Sequence, residues 1–237
     1  MNIEGTRAYK FLPAEFALQD LTKRQIKIST FPDMNDPFEL LGGLRSDPQL
    51  SPHLAARVSH INDWCGVLCF SRDWHNAMLW SHYGDKHRGI CLGLDISAEV
   101  HEPFYVANRQ EFDTDLRVLL AAAPRRKGLT PSDPEFQACE QAVARILLTK
   151  YDAWRYENEV RTFIALKAEQ RQGPFYFAEI DKHFQPRTII LGARCATPAE
   201  DIEAAVVGYS PPITVVRTVL SGSAFEVIDQ ATAPKAP

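Results

Sequence analysis

Apolar and polar residues along this chain fall into short runs of two periods. Residues 8–12 form a brief apolar and aromatic run that contains Lys10 and stops at Pro13. Over 15–24, Phe16, Ala17, Leu18 and Leu21 are spaced for a short amphipathic helix. Residues 26–30 alternate Ile-Lys-Ile-Ser and predict a strand. The prolines and the Asn35-Asp36 pair of 31–39 predict a defined turn. After a polar loop around Pro48 and Pro52, Ser51 is placed to cap a helix over 52–63.

Residues 65–71 (CGVLCFS) and 89–95 (GICLGLD) are apolar without alternation, the pattern of strands covered on both faces. A short helix or turn is predicted over 73–83. Trp64, Trp74 and Trp80 fall in this block, which suits either the centre of a domain or the wall of a cleft. Further on, 101–108 predicts a strand with Phe104 and Val106 on one face, and 114–123 a helix. A long helix is predicted over 134–154, its apolar stripe running through Phe136, Cys139, Val143, Ile146, Leu147, Tyr151 and Trp154. Strands follow at 159–167, 175–179 and 187–192, then a helix from Thr197-Pro198 to about 208, then strands at 213–220 and 224–228. With no internal repeat and no linker, 1–229 reads as one α+β domain, with mixed, mostly antiparallel sheets and flanking helices. Residues 230–237 read as a flexible tail.

Charge narrows the class of partner. A net charge of −4 in 237 residues argues against a bulk electrostatic grip on nucleic acid or on an anionic membrane, though it allows a local basic groove. Cys65, Cys69, Cys91, Cys139 and Cys195 are odd in number and irregularly spaced, unlike a disulfide framework. Residues 1–10 carry Glu4, Arg7 and Lys10 and show no apolar signal core, and no run is long enough for a membrane span. A reducing cytoplasm is the expected location.

Three constellations carry candidate chemistry. In Trp154-Arg155-Tyr156-Glu157-Asn158-Glu159-Val160-Arg161, an extended backbone puts Glu157, Glu159 and Arg161 on one face. That is either an acid/base and hydrogen-bonding site or a structural ion-pair strand. Leu79-Trp80-Ser81-His82-Tyr83-Gly84 offers hydroxyl, imidazole and phenol groups to a ligand, or forms a packed turn. Cys65, Cys69, His75, His82, His87 and Cys91 match zinc-ligand spacing only loosely, and the first two cysteines sit in an apolar strand, where thiols behave as small hydrophobes. No metal is expected. Arg125-Arg126-Lys127 reads as a solvated loop or a phosphate contact, and no dinucleotide, Walker or nucleophile-elbow motif is present.

Taken in order, Tyr9-Lys10-Phe11, Asn35-Asp36-Pro37-Phe38-Glu39, Cys69-Phe70-Ser71, Leu79-Trp80-Ser81-His82-Tyr83, Gly89-Ile90-Cys91-Leu92-Gly93 and Trp154-x-Tyr156-Glu157-x-Glu159-x-Arg161 resemble a large bacterial family known as a domain of unknown function. The strand-helix-strand start, a later strand with Ser and Tyr, and a late Glu-x-Glu on a strand are also similar to ADP-ribosyltransferases. That likeness implies an ADP-ribosyltransferase-like core that uses NAD as substrate. It implies that Glu159 holds the nicotinamide ribose and stabilises an oxocarbenium-like centre, and that Glu157 orients or deprotonates the acceptor. Tyr83 would stack on nicotinamide and Lys10 would meet a phosphate or ribose, with Tyr9, Ser81 and His82 beside them. In place of a Ser-Thr-Ser triplet the chain has Ser81-His82-Tyr83.

The leading expectation is therefore an NAD-dependent enzyme that modifies a macromolecular acceptor, protein or nucleic acid, or hydrolyses NAD, as a bacterial toxin or defence effector would. The alternative is a non-catalytic ligand- or partner-binding domain with a structural Glu/Arg strand. A metal-dependent hydrolase or nuclease is third.

Overall fold

A computed structural model describes residues 5–36, 38, 59, 61–108, 130, 132–180 and 183–234. In chain order its elements are β1 (Thr6–Leu12), α1 (Ala14–Thr22), β2 (Gln25–Ile28), β3 (Cys65–Ser71), α2 (Ala77–His82), β4 (Ile90–Ile96), β5 (Phe104–Val106), α3 (Pro134–Leu148), β6 (Thr149–Tyr151), β7 (Glu159–Ala165), β8 (Arg171–Gln172), β9 (Phe175–Glu179), β10 (Phe184–Leu191), α4 (Ala199–Val206), β11 (Thr214–Leu220) and β12 (Val227–Asp229). The chain is mixed α+β. The helices expected over 52–63 and 114–123 and the basic loop Arg125-Arg126-Lys127 lie outside the described residues, apart from 59 and 61–63, which are helical. Among the described residues no helix is long and apolar enough to cross a membrane.

The two continuous apolar runs become β3 and β4, buried over almost their whole length. Strands apolar on both sides need cover on both faces, so they occupy the inside of a seven-stranded sheet of order β12-β11-β10-β4-β1-β3-β7. Its ladders are antiparallel except β10 with β11. A small antiparallel sheet, β2-β9-β8, and a parallel pair, β5-β6, complete the strands of the described residues.

Alternation along β1 and β4 sorts side chains between two cores. Ala8, Leu92 and Leu94 join a cluster with Leu21 of α1, Ile202 of α4 and Ile26 of β2. Phe11 and Cys91 face the other way, toward Leu79 and Trp80 of α2. A third cluster packs Cys65 and Val67 of β3 against Ile146 of α3 and Phe31.

The long predicted helix is corrected. The helix expected to run to Trp154 ends at Leu148. Thr149 turns extended, with ψ 132°, and its hydroxyl takes the Arg145 carbonyl at 2.6 Å. A side chain that competes for the last carbonyls ends a helix there. Residues 152–157 then coil into a 3-10 helix, so the extended backbone considered for Glu157 begins only at Glu159, where the strand is predicted to start. At the other end of the chain, Gln230 donates its backbone N–H to the Arg217 carbonyl at 2.9 Å, which ties the first residue of the expected tail to β11.

Candidate functional site

The central feature is a split in the large sheet. β1 pairs with β4 over seven residues but meets β3 at a single register pair, Tyr9 with Ser71. Past that pair the two strands part. Lys10 Nζ reaches across and donates to the Cys69 carbonyl at 3.4 Å. A cavity of about 340 Å³ opens in the split, lined by Tyr9, Lys10 and Phe11 from β1 and Cys69, Phe70 and Ser71 from β3. Asp33 and Asn35 of the turn after β2, Tyr83 at the end of α2, and Lys150, Glu157 and Glu159 close its walls.

β7 supplies Glu159 through its register on β3. Ser71 lies opposite Glu159, as it lies opposite Tyr9 on its other side. Cross-strand partners share a face, so Tyr9, Ser71 and Glu159 form a row across three strands. Asn158 links the 3-10 helix to β7 in the left-handed region (φ 46°, ψ 49°), a conformation asparagine tolerates. The 3-10 helix is tied down where it enters the site. The Ser71 hydroxyl lies 2.7 Å from the Glu157 carbonyl, and Asn76 Nδ2 donates to the Tyr156 carbonyl at 2.9 Å. Glu157 and Glu159 therefore converge although only Glu159 is in the strand.

Both carboxylates are buried and bonded at every oxygen. Tyr83 OH donates to Glu157 Oε1 at 2.5 Å and accepts from Asn35 Nδ2 at 2.7 Å. Lys150 Nζ donates to Glu157 Oε2 and, at 2.5 Å, to Glu159 Oε2. Arg161 closes the set: Nε meets Glu159 Oε1 at 2.8 Å, Nη2 meets Oε2 at 3.1 Å, and Nη1 reaches the Leu147 carbonyl at 3.1 Å. Two acids thus face two cations. Burial opposes ionisation of Glu159, but Arg161 and then Lys150 override it and hold its carboxyl at about 2. Burial, and then the Glu157 charge, push the Tyr83 phenol well above its ordinary range. Burial also pulls the Lys10 ammonium down.

Of the residues singled out from sequence, Tyr9, Lys10, Tyr83, Glu157 and Glu159 line this one cavity. Ser81 and His82 line a different, shallow depression with Asp73, His75, Met78 and Phe225. Both are exposed. The Ser81 hydroxyl donates back to the Ala77 carbonyl at 3.0 Å, while the His82 ring rests near Tyr83, Trp154 and Tyr156. On a helix, consecutive residues point in different directions, so one of the three faces the split and two do not. The serine beside Glu159 is Ser71.

The loose zinc pattern disperses. Cys65 and Cys91 are core side chains whose thiols burial pushes up, Cys65 to about 11. Among the described residues no group of three or more His, Cys, Asp or Glu is placed to hold a metal.

Lys150, Asn35 and Ser71 are among the site groups that sequence reasoning missed. Lys150 falls inside the overextended helix pattern, and its one local signal is the Thr149-Lys150-Tyr151 triplet of strand-forming flanks. Asn35 reads as a turn former that bonds its own backbone, yet its amide reaches Tyr83, 48 positions away. Comparison with protein-family models, with curated proteins and with solved structures finds no match to this chain, which leaves the cavity and its bonded acid pair as the ground for its function.

Proposed function

We propose that the cavity binds NAD and that the chain is an ADP-ribosyltransferase-like enzyme, transferring ADP-ribose to a macromolecular acceptor or hydrolysing NAD. The observation that carries this reading is convergence: Tyr9, Lys10, Tyr83, Glu157 and Glu159, from three separate chain segments, line one cavity. Its volume of about 340 Å³ lies near the lower end of ligand pockets, roughly 300–1,000 Å³. It suits the nicotinamide ribose, with the rest of the dinucleotide over the rim. Glu159, ionised at all ordinary pH, presents fixed negative charge where positive charge develops as nicotinamide leaves. Lys10 offers a cation to a phosphate, and Tyr83 a ring to nicotinamide. Glu157 would orient the acceptor. Ser81 and His82 have no part in this site.

A second reading is favoured by one observation. Every oxygen of Glu157 and Glu159 already has an intramolecular donor, as a structural charge cluster in a non-catalytic binding domain would. The two are separated by adding NAD to wild type and to Glu159→Gln while following melting temperature and free nicotinamide. The catalytic reading expects stabilisation of wild type, about 2.7 kcal/mol at 100 times the dissociation constant. It expects nicotinamide release to fall by on the order of 100- to 1,000-fold in Glu159→Gln. If wild type neither binds NAD at millimolar concentration nor releases nicotinamide, the structural reading stands. Unchanged release in a folded Glu159→Gln removes Glu159 from the chemistry.

A further inference from the structure

We propose that Lys150 is the positioning residue of this site: its ammonium joins Glu157 and Glu159 into one aimed, charge-balanced pair at the cavity wall. Lys150 bonds both carboxylates, while Arg161 braces Glu159 from the other side. The Lys150 side chain is 4 % exposed. Two carboxylates held this close and this dry do not both stay charged unless a cation lies between them. Lys150 belongs to β6, whose parallel register with β5 sets it opposite Tyr105. The aim of the acids is therefore set by an element other than the turn and strand that carry them.

Other ionisable groups surround the bridge. Tyr83 at the end of α2, Tyr105 from β5 and Tyr156 beside Glu157 all have phenols that burial raises, so none ionises in acid. Lys10 from β1 feels the Glu159 charge and stays cationic in acid, as does Arg161 from β7. Glu159, held at about 2, adds stability that is present above the ordinary carboxyl value of roughly 4.3 and is lost as pH falls toward 2.

The test compares urea unfolding of wild type, Lys150→Arg, Lys150→Met and the double change Lys150→Met/Glu157→Gln from pH 7 to pH 3. Lys150→Met is expected to have a lower urea midpoint at pH 7, and its gap from wild type should shrink by more than half by pH 3. Groups away from the bridge, such as Asp20, whose carboxyl burial pushes up to about 6, titrate alike in both proteins and cancel. Lys150→Arg and the double variant should each recover much of the loss at pH 7, one by restoring a cation and the other by removing a carboxylate. A gap that is the same at every pH, with no recovery in the double variant, would make Lys150 a packing residue and overturn the proposal. If Lys150→Met does not fold, the double variant decides: folding in it supports the bridge, and failure to fold overturns it.

A second arm rests on the NAD reading. There, Lys150→Met should lose nicotinamide release by on the order of 100-fold with little change in KM, and Lys150→Arg should keep most of it. Loss of KM alone would contradict a positioning role. If wild type releases no nicotinamide, that reading fails while the unfolding arm still tests the bridge.

Discussion

Arg161→Met is expected to lower folding stability by about 3–5 kcal/mol, the usual result of breaking a buried ion pair from one side. Arg161 is 1 % exposed and holds three positions at once, both oxygens of Glu159 and the Leu147 carbonyl. Without it, Glu159 depends on an ammonium it shares with Glu157, and the end of α3 loses a donor. The loss should depend on pH with a definite sign. Arg161 is the largest influence holding the Glu159 carboxyl down to about 2 against burial. Stability drawn from that depression exists above roughly pH 4.3 and disappears toward pH 2, so the gap between wild type and variant should narrow on acidification. Urea unfolding at several pH values measures both features. A loss below about 1 kcal/mol, the scale of an exposed pair, with no dependence on pH, would show that water and neighbouring groups compensate the buried charge.

Trp80→Ala is expected to cost a further about 3–5 kcal/mol by leaving a cavity under α2. The indole is fully buried, meets the Phe11 ring edge-on at 5.0 Å, and donates Nε1–H to the Trp74 carbonyl at 2.6 Å. Gly84 is needed to close the chain over it, because a Cβ there would lie 2.7 Å from the indole edge. Trp80→Phe keeps most of the volume but not the donor, so it should cost less, with about 1–3 kcal/mol from the orphaned carbonyl. Because α2 delivers Tyr83 to Glu157, Trp80→Ala should also weaken NAD-dependent stabilisation under the proposed function. Full retention of wild-type stability in Trp80→Ala, read by thermal and chemical unfolding, would contradict the assignment of this face as a core.

The strand pattern was legible where one element's own residues decide it. β3 at Cys65–Ser71 and β9 at Phe175–Glu179 have the boundaries the sequence predicts. Gly173, at φ 62°, makes the tight connection between β8 and β9. The end of α3 was not legible, since the apolar stripe continues at helical spacing through Tyr151 and Trp154 while Thr149 ends the helix by a local hydrogen bond. The acids were legible as a pair, but their face was inferred from an extended backbone, and they meet through a 3-10 helix and a left-handed Asn158.

Periodicity along the chain determines which side of an element is apolar, and the residue types of Glu157, Glu159 and Arg161 announce that charges must be matched. Which elements meet depends on pairings across long separations. Tyr83 reaches Glu157 over 74 positions, and Lys10 bridges to Cys69 over 59. Only the folded chain opens the sheet beyond Tyr9 and Ser71, turns Tyr83 inward while Ser81 and His82 face out, and brings Lys150 between two carboxylates. The cause is physical: local propensities act within a few residues, whereas a buried charge takes whatever partner the whole packing brings within hydrogen-bond reach.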